Sequence, residues 1–458
     1  MKKIFTVVII ASVVTTFVMC NKPDAFPDDQ YDNRLSGGLA TTFDETSQAF
    51  THSINGLEGR DGFVHELGDK AFEASFVSRP AELFEGLGYI YNNVSCISCH
   101  HNDGKGTPTA GLQNSSLLIR VSIPGTDEHG APLSVPGYGF QVQDKGLIGI
   151  TPEASVNIQY TQVPVTYPDG SIVTLRKPTY TLTNPYSPLP AIYYISPRLA
   201  PPVFGIGLLD NIPENTLLSF ADEDDANGDG ISGRPNYIFD TALNIRRIGR
   251  FGLKANTISL QNQVALAYQQ DMGVTNYLFP DQNSKTQSQD KQGDATVIEQ
   301  PDSTLANVIF YIKTLAVPAR RNVNDVTNKK GEAIFNQINC SGCHKQTIYT
   351  GYVTDVPSLS NQRIHPYTDL LLHDMGDGLA DGRPDFVATG NEWRTTPLWG
   401  LGMLQKVQGV AYYLHDGRAQ SIEEAILWHD GEAHNSKEAF MNLSKDDRNA
   451  LLAFLKSI

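Results

Sequence analysis

The feature that most constrains this chain is a five-residue motif, C-x-x-C-H, that occurs twice. It reads CISCH in the first half of the chain and CSGCH in the second. In this motif the two thiols bond to the vinyl groups of a haem, and the adjacent histidine ligates the iron. The residues are Cys96, Cys99 and His100 in the first motif and Cys340, Cys343 and His344 in the second.

Two other uses of cysteine and histidine fit the sequence less well. A structural zinc site needs four ligands, often from two neighbouring pairs, and these pairs lie far apart in the sequence. A redox-active C-x-x-C pair needs no histidine directly after it. With five Cys and eleven His in 458 residues, a given cysteine has both neighbours by chance with a probability of about 3 in 10⁴. We therefore predict two covalently bound haems c.

The first 20 residues, 1–20, have the pattern of a signal peptide. A basic pair precedes the short apolar run Ile4–Val14, and no stop-transfer pattern follows. Cys20 ends this segment and is predicted to become a lipidated N-terminus, as in bacterial lipoproteins. Phe17 and Met19 stand where an aliphatic and a small residue are usual, so ordinary cleavage nearby is the alternative.

Either kind of cleavage predicts an exported protein, which agrees with haem attachment outside the bacterial cytoplasm. We expect a periplasmic protein or an outer-membrane lipoprotein that touches a membrane only through an N-terminal lipid anchor. The net charge of −15 disfavours nucleic acid as a partner. It suits a basic redox partner protein, and a small oxidant or reductant is the other class of partner expected.

The segments around the motifs predict the fold. Apolar residues at near-helical spacing precede the first motif, and the stretches SIEEAILWH and SKDDRNALLAFLKSI after the second begin like helices. Between the motifs, β-branched and aromatic residues alternate around the turn Pro168–Gly170, which predicts a β-hairpin. We predict a mainly α fold of two cytochrome-c-like haem domains, residues 21–320 and 321–458, with the hairpin as an insertion between the haem motifs.

Several longer stretches carry a resemblance to a known family. They include GDGISGRPN, RFGLKAN, LLHDMGDGLADG, EWRTTPLWGLG and YLHDGRAQSIEEAILWHDGEA. Together with the two motifs they resemble the bacterial di-haem oxidoreductases, whose members are described as thiol oxidoreductases or peroxidases. The resemblance covers nearly all of the chain after the signal peptide. More distantly, the last two stretches are similar to parts of the di-haem cytochrome c peroxidases.

The resemblance to the peroxidases implies a second axial ligand for the iron of the second motif. The peroxidases have a methionine ligand after the helix that follows HDG, and the matching position in this chain is His429. Two histidine ligands would lower the potential of this iron relative to a His/Met pair. Met375 and His373, in LLHDMGDG, are the alternative ligands.

The same resemblance implies that the chemistry takes place at the first haem. The peroxidases carry a glutamine and then a glutamate on its open side, and this chain has Gln261 and Asp271 at the same spacing. A carboxylate there would take a proton from bound peroxide and return it to the departing oxygen. His129 is an alternative, as a sixth ligand that would close this iron.

In the peroxidases a tryptophan lies between the two haems. The corresponding stretch of this chain, RFGLKAN, contains Phe251 and Leu253 instead. The tryptophans are Trp393, Trp399 and Trp428, and all of them follow the second motif. The electron route of the peroxidases is therefore not expected at that stretch.

A candidate calcium loop lies in DEDDANGDGISGRPN. Asp225, Asn227 and Asp229 alternate before Gly230, which is the spacing that places oxygen ligands around Ca²⁺. The position of the bidentate glutamate of an EF-hand is occupied by Asn236, so this is not an EF-hand. A solvated acidic turn is the alternative.

Three functions agree with these features. The first is an oxidoreductase with peroxidase-like chemistry, in which the first haem is catalytic and the second takes up electrons. The second is an electron carrier in which both irons are closed, and the third is a surface haem protein that serves iron acquisition. The length of the chain favours the enzyme, because a carrier needs far fewer residues for each haem.

The motifs make a direct prediction about mass. The exported protein should carry two haem additions and no disulfide, because four of the five cysteines lie in the motifs. Intact-protein mass spectrometry checks this, and Cys20→Ala serves as the control because it should leave the number of haems unchanged. A single haem addition would contradict the prediction.

Overall fold

The computed structural model describes residues 32–111, 115–240, 243–285, 287 and 298–458. The predicted signal peptide and Cys20 lie outside these residues. All the elements named below belong to the unit Arg34–Ile458, whose residues cluster together by their contacts. The predicted boundary between residues 21–320 and 321–458 stays a prediction. In the part of the chain that is described, no helix is both long enough and apolar enough to cross a bilayer.

Ten α-helices occur among the described residues, and several begin at the capping residues that the sequence suggests. Ser421 and Ser444 each accept a hydrogen bond from a backbone N–H three residues later. The helices are α1 (Gly59–Glu73), α2 (Ile206–Asp210), α3 (Glu214–Leu218), α4 (Leu260–Met272), α5 (Asp302–Lys313), α6 (Val326–Gln337), α7 (Leu404–Gln408), α8 (Ile422–Trp428), α9 (His434–Met441) and α10 (Lys445–Ser457).

Most of the strands are short. They are β1 (Thr41–Thr42), β2 (Ile90–Tyr91), β3 (Leu117–Thr126), β4 (Pro132–Leu133), β5 (Gln141–Val142), β6 (Lys145–Gly146), β7 (Ser155–Thr166), β8 (Ile172–Thr183), β9 (Tyr194–Leu199), β10 (Tyr237–Asp240), β11 (Ile245–Ile248), β12 (Val317–Pro318), β13 (Ile348–Tyr349), β14 (Arg363–Ile364), β15 (Leu372–Asp374) and β16 (Glu392–Arg394). They form small sheets, of which the one around β3 has four strands and the others have two.

The prediction of a mainly α fold of cytochrome-c-like domains is wrong. The structure is only 27% helical and has 20% of its residues in strands. Two-residue strands pair with distant segments and have no alternating pattern of their own, so the sequence gives no local sign of them. The near-helical spacing of apolar residues before the first motif corresponds to a helix, α1, only as far as Glu73. The chain beyond it passes through Pro80, which cannot continue a helix.

The predicted β-hairpin is confirmed. Strands β7 and β8 are antiparallel, and Thr166 pairs with Ile172 across the turn. Gly170 adopts a φ of 82°, which a glycine accepts without strain. The hairpin packs on the C-terminal part of the chain, because Tyr167 donates a hydrogen bond to Glu423 at 2.8 Å and Arg448 pairs with Asp169 at 2.5 Å.

The four-stranded sheet lies next to the first motif and presents polar side chains to it. Strand β3 pairs with β4, β5 and β9, all antiparallel. In this sheet Arg120 of β3 stands directly opposite Gln141 of β5. Side chains of directly opposed residues lie on the same face of a sheet, so both can reach one site.

Helices enclose both motifs. Helices α1, α4 and α5 contribute to the core beside the first motif, and α6, α8 and α10 to the core beside the second. Helices α6 and α10 approach closely at Gly331, where a Cβ would stand only 2.0 Å from the Ala450 carbonyl oxygen. A glycine is needed there for space, since no larger residue fits between the two backbones.

This close approach predicts a loss of stability. Replacing Gly331 with Ala should lower the free energy of unfolding by about 1–3 kcal/mol, because the two helices must move apart. Denaturant unfolding followed by circular dichroism measures it. Gly378→Ala is the matched control, since its Cβ would meet Trp428 at an ordinary 3.5 Å. Equal unfolding midpoints for the two variants would contradict the prediction, because they would show that the helices can move apart without loss of stability.

Candidate functional site

Each motif lines a cavity. The first cavity, of about 220 Å³, is lined by Cys96, Cys99 and His100. The second cavity, of about 240 Å³, is lined by Cys340, Cys343 and His344. Most of the other residues around both cavities are apolar. The structure therefore brings the three functional side chains of each motif to one apolar space.

Hydrogen bonds of the backbone and of the histidine ring hold each motif in a form that can bind an iron. His100 and His344 each donate a backbone N–H to the carbonyl of the motif's first cysteine at 3.0 Å, which closes a tight turn. The ring Nδ1 of His100 lies 2.6 Å from the Pro201 carbonyl oxygen, and that of His344 lies 2.9 Å from the Tyr367 carbonyl oxygen. A carbonyl only accepts, so Nδ1 carries the proton and Nε2 keeps its lone pair.

The protonation states of the motif residues follow from burial. Burial lowers the pKa of His100 and of His344 to about 4, so both rings are neutral and able to ligate a metal. Burial also raises the pKa of the Cys96 and Cys340 thiols to about 12. The four motif cysteines are free thiols. Two thiols, one neutral imidazole and an apolar surround are the set of groups that fits a haem c.

His429 faces the second cavity together with His344. It follows directly after helix α8, and its Nδ1 donates to the Ala425 carbonyl oxygen at 2.7 Å. Its Nε2 is thereby left with a lone pair, as in the motif histidines. Burial lowers the pKa of His429, so the ring is neutral. Met375, the alternative ligand, lines the same cavity.

His373 also lines the second cavity, but its ring is fully engaged. Its Nδ1 lies 2.6 Å from a Glu432 oxygen and its Nε2 lies 3.0 Å from an Asp369 oxygen. Burial lowers the pKa of His373, but the neighbouring Cys343 sulfur and the Asp369 carboxylate act more strongly and hold this pKa well above its usual value. An imidazolium with both nitrogens occupied has no lone pair for a metal, so His373 is placed as a charged neighbour of the cavity.

Asp271 lies in the first cavity, near the end of helix α4. Its Oδ1 accepts a hydrogen bond from Gln141 at 2.8 Å, and its backbone carbonyl accepts one from the Asn92 N–H at 2.7 Å. Burial raises the pKa of Asp271, while the positive charge of Arg120 and the Gln141 hydrogen bond act against this rise. The carboxylate therefore holds a proton more readily than an exposed aspartate does.

Gln261 is not brought to the first cavity. Helix α4 lines the cavity with one face, which includes Leu260, Val264 and Asp271. Gln261 follows Leu260 directly, about 100° further round the helix. Its side chain is exposed and donates a hydrogen bond to the Tyr277 hydroxyl.

His129 and the candidate calcium loop also lie apart from the cavities. His129 stacks on Phe239 with ring centres 3.8 Å apart, and it does not line the first cavity. In the loop, Asp225, Asn227 and Asp229 turn side-chain oxygens back to backbone N–H groups of the same loop. Among the described residues no group of three or more His, Cys, Asp or Glu side chains is arranged to hold a metal ion. The loop therefore gives the calcium prediction no support.

The two cavities meet at a wall whose residues line both of them, and we call this the shared wall. Its residues are Pro202, Phe204, Leu253, Arg394, Thr396, Pro397 and Trp399. A tryptophan thus lies between the two cavities after all, although it comes from the segment after the second motif and not from RFGLKAN.

Sequence reasoning missed Arg120, Arg394 and the position of Trp399. The sequence does give a sign of Arg120, because it is the single charged residue in the apolar run LLIRV of strand β3. It lines the first cavity, and among the described residues its one side-chain hydrogen bond is to Gln270 at 3.3 Å. Arg394 and Trp399 lie in a stretch that the resemblance already singled out, but their place between the cavities depends on long-range folding.

A comparison with protein families agrees with the presence of two cavities that fit a haem. A family model described as "Di-haem oxidoreductase, putative peroxidase" matches residues 31–458. No curated protein matches the chain. A hydrazine synthase of Kuenenia stuttgartiensis is similar at 17% identity with a TM-score of 0.23, covering 36% of this chain. The match spans 58% of the synthase chain, and so weak a likeness supports no inference.

The position of His429 predicts a spectroscopic change. With haem in the second cavity, His429→Ala should convert a low-spin iron signal to a high-spin signal, because one strong-field ligand is lost. Electron paramagnetic resonance and visible spectra measure it. His434→Ala, at an exposed histidine that pairs with Asp430 at 2.9 Å, is the matched control. A low-spin signal that persists in His429→Ala would assign the ligand role to Met375.

Proposed function

The chain belongs to the di-haem oxidoreductase family, and on that basis we propose that it is a peroxidase-like enzyme. The first cavity, with Cys96, Cys99 and His100, would hold the reacting haem, and the second cavity would hold the haem that takes up electrons. Both haems are bound covalently, through the two cysteines of each motif. The substrate that we propose is hydrogen peroxide or a related small oxidant.

The observation that carries this proposal is the difference between the two cavities. The second cavity contains His429, a neutral histidine with a free Nε2, in addition to His344. The first cavity contains no described histidine besides His100, and it contains the buried carboxylate of Asp271. A closed iron suits electron transfer, whereas an iron that reacts needs an accessible position and a group that moves protons.

The chemistry divides between the haem and the protein. An iron held by His100 would supply the site where peroxide binds and the electrons that break its oxygen–oxygen bond. Asp271 would take a proton from bound peroxide and return it to the departing oxygen. Because its pKa is raised, this carboxylate is well matched to take and return a proton. Reduction of one peroxide to two waters takes two electrons and two protons in all.

The polar neighbours of Asp271 hold it in place. Gln141 fixes one carboxylate oxygen with a hydrogen bond at 2.8 Å, and the positive charge of Arg120 favours the ionised form that accepts the proton. Both residues come from the four-stranded sheet between the motifs. We propose that this sheet serves to supply the polar side of the first cavity.

Electrons need a path from the second cavity to the first. Trp399 and Phe204 are the aromatic residues that line both cavities, and Trp399 is the one that matches the residue type used by the peroxidases. We propose that it takes the place of the tryptophan that RFGLKAN lacks. The electrons would come from a redox partner protein or a small reductant outside the cell's cytoplasm, where the signal-peptide pattern and Cys20 direct the chain.

The runner-up function is an electron carrier, and one residue favours it. Met272 lines the first cavity directly after Asp271. A thioether bound to the first iron would close it, as in many cytochromes c. The two functions differ in one observable, since the carrier has no high-spin ferric iron and does not react with peroxide.

The proposed role of Asp271 predicts a kinetic loss. Asp271→Asn keeps the shape of the side chain but removes the base, so peroxide turnover should fall about 10²-fold or more. Steady-state kinetics with a reduced dye as electron donor measures it. The matched control is Asp302→Asn, at an exposed aspartate in the first turn of α5.

Both variants should keep two reducible haems, which separates loss of chemistry from loss of cofactor. Turnover by Asp271→Asn as fast as that of the parent would remove Asp271 from the mechanism. A parent protein without high-spin iron and without any reaction with peroxide would make the carrier the better assignment.

A further inference from the structure

Arg394 is the charged member of the shared wall. The other residues that line both cavities are apolar or, at Thr396, uncharged. Arg394 ends strand β16, and its backbone N–H donates to the Leu253 carbonyl oxygen at 2.9 Å. The side chain therefore starts from a fixed backbone position between the two cavities.

The guanidinium of Arg394 is buried without a counter-charge. The residue is 9% exposed, its Nε donates to the Gly252 carbonyl oxygen at 2.9 Å, and Nη1 has no hydrogen-bond partner among the described residues. No carboxylate of those residues lies within ion-pair distance of it. The acidic group that acts on it through space is Asp369, which is already engaged by His373 at 3.0 Å.

Other buried arginines of this protein have a carboxylate partner, which Arg394 lacks. Arg198 and Arg383 share Asp385 at 3.0 and 2.9 Å, and Arg418 lies 2.8 Å from Asp416. An unpaired buried charge is costly, so buried guanidinium groups are normally paired with an anion. A pair of parallel N–H groups is shaped to bind a carboxylate with two hydrogen bonds. Arg394 thus lacks a carboxylate partner. It lines both cavities, so a group bound in either cavity can supply that carboxylate.

We propose that Arg394 binds a carboxylate at the shared wall and that this carboxylate is a propionate of a haem seated in these cavities. The inference rests on the haem binding of the proposed function, and it does not depend on peroxide chemistry. Arg394 is then a positioning residue, because it would hold the haem through that propionate. Its positive charge also stabilises the added electron, so it raises the reduction potential of the haem that it contacts.

Redox titration tests the proposal. Arg394→Gln removes the charge, so the equilibrium constant for reduction of at least one haem should fall about tenfold, which is 59 mV for a one-electron couple. Arg394→Lys keeps the charge and should restore most of the potential. Arg176→Gln is the matched control, since Arg176 has a single carbonyl partner at 3.0 Å and lines neither cavity. Unchanged potentials in Arg394→Gln, or an equal shift in Arg176→Gln, would overturn the proposal.

Two further measurements identify the source of the carboxylate. Resonance Raman spectra of Arg394→Lys should show a shifted propionate bending band, and this variant also serves if Arg394→Gln does not fold. An unchanged band would overturn the propionate assignment. Titration with acetate or phosphate should leave the potentials of the parent protein unaltered. A potential that depends on these anions in the parent but not in Arg394→Gln would assign Arg394 to a free anion instead.

These outcomes are distinguishable from failure of the proposed function. Potentials and Raman bands are measured on the protein with both haems attached, whether or not it reacts with peroxide. A protein that reduces no peroxide but shows the expected shift in Arg394→Gln would retain the inference about Arg394 and lose the enzymatic role.

Discussion

The hydrogen bonds from His100 to Pro201 and from His344 to Tyr367 are the contacts on which the rest of the site depends. Each joins a motif to a carbonyl far along the chain or across a loop, so the ring can hold its orientation only when the tertiary structure is complete. Each also fixes the proton on Nδ1 and leaves Nε2 for a metal. The motif supplies the reactive side chains, and the tertiary structure fixes the orientation of the histidine rings.

How much of the fold the sequence could predict depended on the range of the interactions. The long hairpin was predictable, because β7 and β8 alternate residue by residue around a turn that contains Gly170. The helices α8 and α10 were predictable from their serine caps and acidic first turns. The mainly α interpretation was wrong because strands such as β1 and β12 are two residues long and pair only through contacts between distant segments. No local pattern records such a pairing.

The same division applies to the candidate site. The motif residues were predictable because five adjacent positions contain all of the chemistry. The resemblance to the peroxidases placed Asp271 at the first haem, and the structure does bring it to the first cavity. The same resemblance placed Gln261 there, but it lies on another side of α4 and is exposed. The spacing shared with the peroxidases predicts where a residue lies along the helix. The segments that pack against the helix determine which of its faces lines the cavity.

A buried ionic network lies beside the shared wall, next to Leu253 and Arg394. Lys254 is fully buried and pairs with Asp381 at 2.9 Å, and its ammonium lies 4.6 Å from the centre of the Trp393 ring. It directly follows Leu253 of the wall, just as Arg394 directly follows Trp393. Breaking a buried pair leaves an uncompensated charge, so the geometry of such a network is strongly favoured over alternatives. The network therefore ties down the backbone next to two wall residues, Leu253 and Arg394. Under the proposed function two haems exchange electrons across this wall, and these buried charges help to keep its backbone in place.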